Sequence, residues 1–219
     1  MEIMKITKAL TRLKGPDSAP VFLLLHGWGS NEYDLPDLLN YCGAGSADYA
    51  SLQAPIAYGM GYTWFGDWAH EGVPEGTSLE HQALEAAQAI DTWVSENIPA
   101  SRPVVTLGFS QGGLLACHML RFNPERYAAA VSCSGWLAPG AMPGDEELKT
   151  LQRPVFYGHG AIDDIFPVAD VQAMSDFWAA HSKLTEQIYP GMAHSINMPE
   201  MRDIQRFLES NNFVRPQIW

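Results

Sequence analysis

Val104-Val105-Thr106-Leu107-Gly108-Phe109-Ser110-Gln111-Gly112-Gly113 is the stretch that decides the fold. Six mostly apolar residues, rich in β-branched side chains, read as a strand buried on both faces. A helix with apolar residues on several sides follows, over Gln111–Phe122, and Asn123-Pro124 ends it. Ser110 stands between strand and helix inside G-x-S-x-G. Such a turn lifts a hydroxyl into the open at a helix N-terminus, where developing negative charge is stabilised. As a bare five-residue pattern the signal is weak. The strand before it and the helix after it give it meaning and make Ser110 a candidate nucleophile.

The same alternation extends in both directions. Ile3–Thr7 is expected to be an edge strand, Val21–Leu25 a buried one, and Tyr49–Leu52 another, with a short helix over Asp34–Tyr41 between the last two. Residues 56–77 show no period but carry much glycine and aromatic side chain, which predicts a long functional loop. Ser78 is the expected cap of a helix that runs to about Asn97. Beyond the serine, strands are expected at Ala128–Ser132, Pro154–Tyr157 and Thr185–Tyr189. Helices are expected at Val168–His181 and Pro199–Ser210. Strands alternating with helices imply a mostly parallel sheet covered on both faces, with ligands beyond the carboxyl ends of the strands. The expected architecture is one three-layer α/β/α domain over residues 1–219.

Composition agrees with a globular chain. The 219 residues are 47% hydrophobic and 17% charged, so neither a disordered chain nor a coiled coil fits. A chain of this length buries roughly 70% of its unfolded surface and folds without metal or disulfide. The 13 Lys+Arg against 25 Asp+Glu give a charge of −12, with no basic cluster. Nucleic acid and anionic membrane surfaces are thus poor partners. Cys42, Cys117 and Cys133 form no C-x-x-C pair. No signal-peptide pattern and no apolar run of membrane-spanning length is visible, so a cytoplasmic location is expected.

A serine nucleophile needs a base, and the base needs an orienting acid. In this architecture the order along the chain is serine, acid, histidine. Of the seven histidines, His26, His70 and His81 precede Ser110. His118 lies about 12 Å along the helix that Ser110 opens, at about 1.5 Å per residue. His159 comes too early for an acid to fit before it, and His181 closes a helix. His194, just beyond the last strand in Pro190-Gly191-Met192-Ala193-His194-Ser195, remains as the base. The acid is expected after Pro154–Tyr157, where Asp163 and Asp164 stand side by side. Spacing scarcely separates them. The stretch Asp145-Glu146-Glu147 reads as a solvated loop. An oxyanion hole needs two backbone N–H groups. Gln111 follows the nucleophile, and the turn His26-Gly27-Trp28-Gly29 after the strand Val21–Leu25 offers the N–H of Trp28.

Together the segments LLLHGWGSNEYDLPDL (residues 23–38), TWF (63–65), LGFSQGG (107–113), YGHGAIDDIFPV (157–168) and YPGMAHSI (189–196) resemble one family. It is the carboxylesterase/phospholipase branch of the α/β-hydrolases, which includes lysophospholipase-like esterases and acyl-protein thioesterases. The segments run in family order over nearly the whole chain. The resemblance implies an α/β-hydrolase fold and a Ser110, Asp163, His194 triad. It places the acid on Asp163, with Asp164 where a proline often stands, and implies Trp28 and Gln111 as oxyanion donors. Gly160-Ala161 stands where many relatives carry Gly-Asp, and Gly66 interrupts a common Trp-Phe-Asp. Trp64, Phe65, Trp68, Trp136, Leu137, Phe166 and Met192 are candidates for an acyl groove. Several of them compete with the core for burial.

The expected activity is acyl transfer from an ester, a thioester or a lysophospholipid to water, with no metal and no organic cofactor. The expected partner is a small acyl substrate. An aromatic patch near Trp64–Trp68 is expected to be either a homodimer surface or a lid, and the sequence does not choose between them. Two other readings compete: a hydrolase fold that binds an acyl or aromatic ligand without turnover, and a serine acyltransferase or perhydrolase. Cys117 lies inside the helix after the elbow, which disfavours a cysteine nucleophile.

Overall fold

A computed structural model describes residues 4–66 and 76–216. Seven strands form the central sheet: β1 (Ala9–Arg12), β2 (Val21–Leu25), β3 (Asp48–Leu52), β6 (Val104–Phe109), β7 (Tyr127–Cys133), β8 (Pro154–Gly160) and β9 (Lys183–Tyr189). Their order is β1-β3-β2-β6-β7-β8-β9. β1 pairs antiparallel with β3 and every other pairing is parallel. Between β3 and β6 lies a hairpin of β4 (Ile56–Tyr58) and β5 (Gly61–Thr63). The helices are α1 (Gly76–Asn97), α2 (Gln111–Phe122), α3 (Asp145–Leu151), α4 (Val168–His181) and α5 (Met198–Ser210), with a 3₁₀ turn at Pro36–Asn40.

Side chains alternate across each strand, and that sorts the core into two layers. Val21, Leu23 and Leu25 of β2 and Val155 and Tyr157 of β8 pack with the buried stripe of α1 (Leu79, Ala83, Ala86, Ala87, Ile90, Val94) and with Met174 and Trp178 of α4. Phe22, Leu24, Val105, Leu107 and Phe156 face the opposite layer, with Leu39 of the 3₁₀ turn and Met201, Ile204 and Leu208 of α5. Those α5 positions recur at helical spacing. Thr106 is a polar residue between these layers, and its hydroxyl donates to the Ala116 carbonyl at 2.7 Å.

Several expectations need correction. The edge strand is Ala9–Arg12 rather than Ile3–Thr7. Arg12 anchors it by donating to the carbonyls of Gly45 and Ala47, partners far along the chain. Ser78 lies inside α1, which begins at Gly76, so it is not the cap. The loop predicted over residues 56–77 contains the β4–β5 hairpin. The stretch from Asp145 is helix α3 rather than a solvated loop. The buried Arg121 guanidinium meets both Asp145 carboxylate oxygens, at 2.8 and 2.9 Å. β8 runs on to Gly160, so His159 lies within the strand.

The elbow at the end of β6 depends on close backbone approach. A Cβ on Gly108 would sit 2.0 Å from the Gly112 carbonyl oxygen, and one on Gly112 would sit 1.8 Å from that of Leu25. Neither gap admits a side chain, so α2 can leave the sheet this sharply only with glycine at both positions. All three cysteines are free and buried. Burial raises the thiol pKa of Cys117 and Cys133 well above the ordinary range, which leaves both as inert hydrophobes.

Candidate active site

Ser110 sits at the elbow with φ 55° and ψ −118°, a left-handed backbone that costs a non-glycine residue of order 1–3 kcal/mol. Its N–H donates to the Cys133 carbonyl at the end of β7, and its carbonyl accepts from Leu114 in the first turn of α2. The strain is thus held from both sides. The residue is 5% exposed.

The loops after β8 and β9 are tied together by backbone bonds. Ala161 N–H donates to the Tyr189 carbonyl and Ile162 N–H to that of Met192. Asp163 and His194 are thereby brought face to face, with Nδ1 of His194 2.7 Å from Oδ2 of Asp163. The other carboxylate oxygen accepts from the Ile165 N–H at 3.0 Å. The Asp163 side chain is fully buried and that of His194 is 20% exposed. Asp164 is exposed. Asn197 then caps α5 through Glu200 N–H, which fixes where the His194 loop ends. The His194 ring packs 4.9 Å from the ring of Phe109, the neighbour of Ser110.

The turn after β2 approaches the elbow from the other side. A Cβ built on Gly27 would lie 3.5 Å from that of Ser110. His26 is fully buried beneath this turn. Its Nε2 accepts from Ala54 N–H at 3.1 Å, so the ring proton sits on Nδ1, which donates to the Gly27 carbonyl at 2.7 Å. Burial lowers the pKa of His26 and keeps the ring neutral. Gln111 begins α2, so its backbone N–H has no acceptor within the helix. Trp28 is 41% exposed and packs 4.7 Å from Tyr58.

The groove candidates separate. Trp64 and Phe65 have no exposed surface and belong to the core, a correction for both. Trp64 Nε1 donates to the His26 carbonyl, so it supports the turn from below. Trp136 and Phe166 stack at 4.3 Å, and Phe166 meets the His194 ring edge-on at 5.6 Å. Met192 is buried and Leu137 half-buried. Trp68 lies outside the described residues.

Two neighbours were not foreseen. His159 is buried with Nε2 3.6 Å from Asp163 Oδ2, too long for a hydrogen bond, and Tyr157 is 3.3 Å from its Nδ1. Burial lowers its pKa. Thr63 Oγ1 lies 3.0 Å from Gln111 Oε1. The sequence holds Thr63 beside Trp64 but carries no sign of that distant partner. His118 is buried within α2, and burial pushes it down to about 3, which keeps it neutral.

The chain matches the phospholipase/carboxylesterase family over residues 9–212. The chain belongs to that family. Acyl-protein thioesterase 1 of Kluyveromyces lactis is 28% identical over 155 residues, 66% of this chain and 67% of that one. Acyl-protein thioesterase 1 of Eremothecium gossypii is 26% identical over 212 residues, 87% of each chain. A Bacillus cereus carboxylesterase structure superposes with a TM-score of 0.75, at 22% identity, over 93% of this chain and 94% of that one. The fold is accordingly the α/β-hydrolase fold, and the protein is an ester-hydrolysing enzyme. Among the described residues no helix is long and apolar enough to cross a membrane.

Proposed function

We propose that the enzyme is a serine hydrolase that cleaves carboxylic esters or thioesters through an acyl-enzyme. The observation that carries this reading is the 2.7 Å bond between His194 Nδ1 and Asp163 Oδ2. A carboxylate accepts only, so Nδ1 holds the proton and Nε2 keeps a lone pair for use as a base.

In the proposed cycle Ser110 Oγ attacks the acyl carbonyl as His194 Nε2 takes its proton. Asp163 holds the ring and stabilises its charged form. The N–H groups of Trp28 and Gln111 bind the tetrahedral oxyanion. His194 returns the proton to the departing alcohol or thiol. Water, activated by the same histidine, then releases the acid. Trp136 and Phe166, stacked on each other with Phe166 edge-on to the base, are the proposed apolar wall for the acyl group.

The thioesterase relatives make an acylated thiol the second substrate to try beside simple esters. The test is turnover of short- and long-chain acyl esters and thioesters by the native protein and by Ser110→Ala. The variant is expected to lose hydrolysis of both. Full turnover by the variant would rule the mechanism out. Product analysis with added alcohol or peroxide separates hydrolysis from acyl transfer to another acceptor.

A further inference from the structure

We infer that Thr63 is a positioning residue for catalysis: it holds the Gln111 side chain and so joins the two halves of the oxyanion hole through the β4–β5 hairpin. This rests on the proposed roles of Trp28 and Gln111.

Gln111 Oε1 is fully buried and has two partners, Thr63 Oγ1 at 3.0 Å and Trp64 N–H at 3.2 Å. The Trp64 N–H can only donate, which fixes the amide with its oxygen towards the hairpin. The Thr63 oxygen accepts from the Phe65 N–H at 3.3 Å, and its single proton is shared between Gln111 Oε1 and the Phe65 carbonyl, the latter at 3.1 Å. Residues 63–65 thus close around one hydroxyl. The same hairpin grips the turn that carries Trp28. Gly29 N–H donates to the Tyr62 carbonyl at 2.9 Å, Tyr62 N–H to the Ser30 carbonyl at 2.8 Å, and Trp64 Nε1 to the His26 carbonyl at 2.9 Å.

The two donor N–H groups come from segments more than eighty residues apart in sequence, Trp28 and Gln111. The hairpin is the element that hydrogen-bonds to both. Oxyanion stabilisation depends on donors fixed in advance, so a loosened clamp weakens the transition state more than the ground state.

The test compares Thr63→Val, Thr63→Ser and Gln111→Met, each quantified by fluorophosphonate active-site titration. Gln111→Met keeps the backbone N–H and removes the amide. Thr63→Val is expected to lower kcat by roughly 10-fold, below the 10²–10³ of deleting a donor outright, with KM nearly constant. Affinity for a trifluoromethyl ketone, which forms a tetrahedral adduct, should fall by the same factor. Thr63→Ser should restore both. In the Gln111→Met background Thr63→Val should add no further loss, because the two act as one unit. Native kcat and inhibitor affinity in titratable Thr63→Val would overturn the inference, as would losses that multiply in the double variant. If Thr63→Val does not fold, Gln111→Met decides alone, and native kcat in that variant overturns the inference. A native protein that takes no fluorophosphonate at all contradicts the serine mechanism itself, a distinct failure.

Discussion

His26 Nδ1 donates to the carbonyl oxygen of Gly27 at 2.7 Å, and this bond sets the direction of the Trp28 N–H. The Gly27 carbonyl and the Trp28 N–H belong to one peptide plane. In a trans peptide they point opposite ways, and no cis bond occurs among the described residues. Holding the carbonyl therefore fixes the N–H on the opposite side of that peptide plane, the orientation the proposed oxyanion role requires to be constant. His26→Leu is expected to reduce kcat by on the order of 10-fold with little change in KM. His26→Asn, which keeps a donor near the Nδ1 position, should retain more activity than the leucine variant. Equal activity of the two would show that the bond does not position the turn.

Asp163 and Asp164 are adjacent in sequence and separate in structure. Asp163 is buried against His194, and Asp164 is exposed. Asp163→Asn presents an amide to His194 and favours the wrong tautomer. A loss of about 10⁴ in kcat is the scale known for that change in a triad. Asp164→Asn should leave kcat unchanged. Paired kinetics of the two variants check the assignment.

Glu200 predicts how stability changes with pH. Its side chain is fully buried against β8, where the weakly donating Cys133 thiol is beside it and no well-formed hydrogen bond from an N–H or hydroxyl reaches either carboxylate oxygen among the described residues. Burial raises its pKa from an ordinary 4.5 to about 7. Between those values the folded chain binds a proton that the unfolded chain has lost. Stability therefore falls as pH rises through that window, and the full cost remains above it. At about 1.4 kcal/mol per pKa unit the cost is on the order of 3 kcal/mol. Glu200→Gln should raise the Tm at pH 8 and change it little near pH 4.5. Thermal melts across that range check this, and parallel curves would contradict it.

Much of the frame was legible because single segments carried it. Val21–Leu25 is apolar throughout and Val104–Phe109 is so but for Thr106, and both form central strands of the sheet. The serine elbow announced itself by glycines that no other residue can replace. The features that were missed depend on distant partners. Asp145 looked solvated because Arg121 stands 24 residues away. The β4–β5 hairpin has strands of three residues, too short to show a period. Trp64 and Phe65 looked like groove residues, but sequence does not tell which aromatic the core takes. Their burial is fixed by α1 and by the turn at His26, which only the folded chain brings against them.

The most direct test of the serine mechanism is intact mass after exposure to an alkyl fluorophosphonate, for the native protein beside Ser110→Ala. One adduct on the native chain and none on the variant is the expected result. Equal labelling of both, or none on folded native protein, would contradict an activated Ser110.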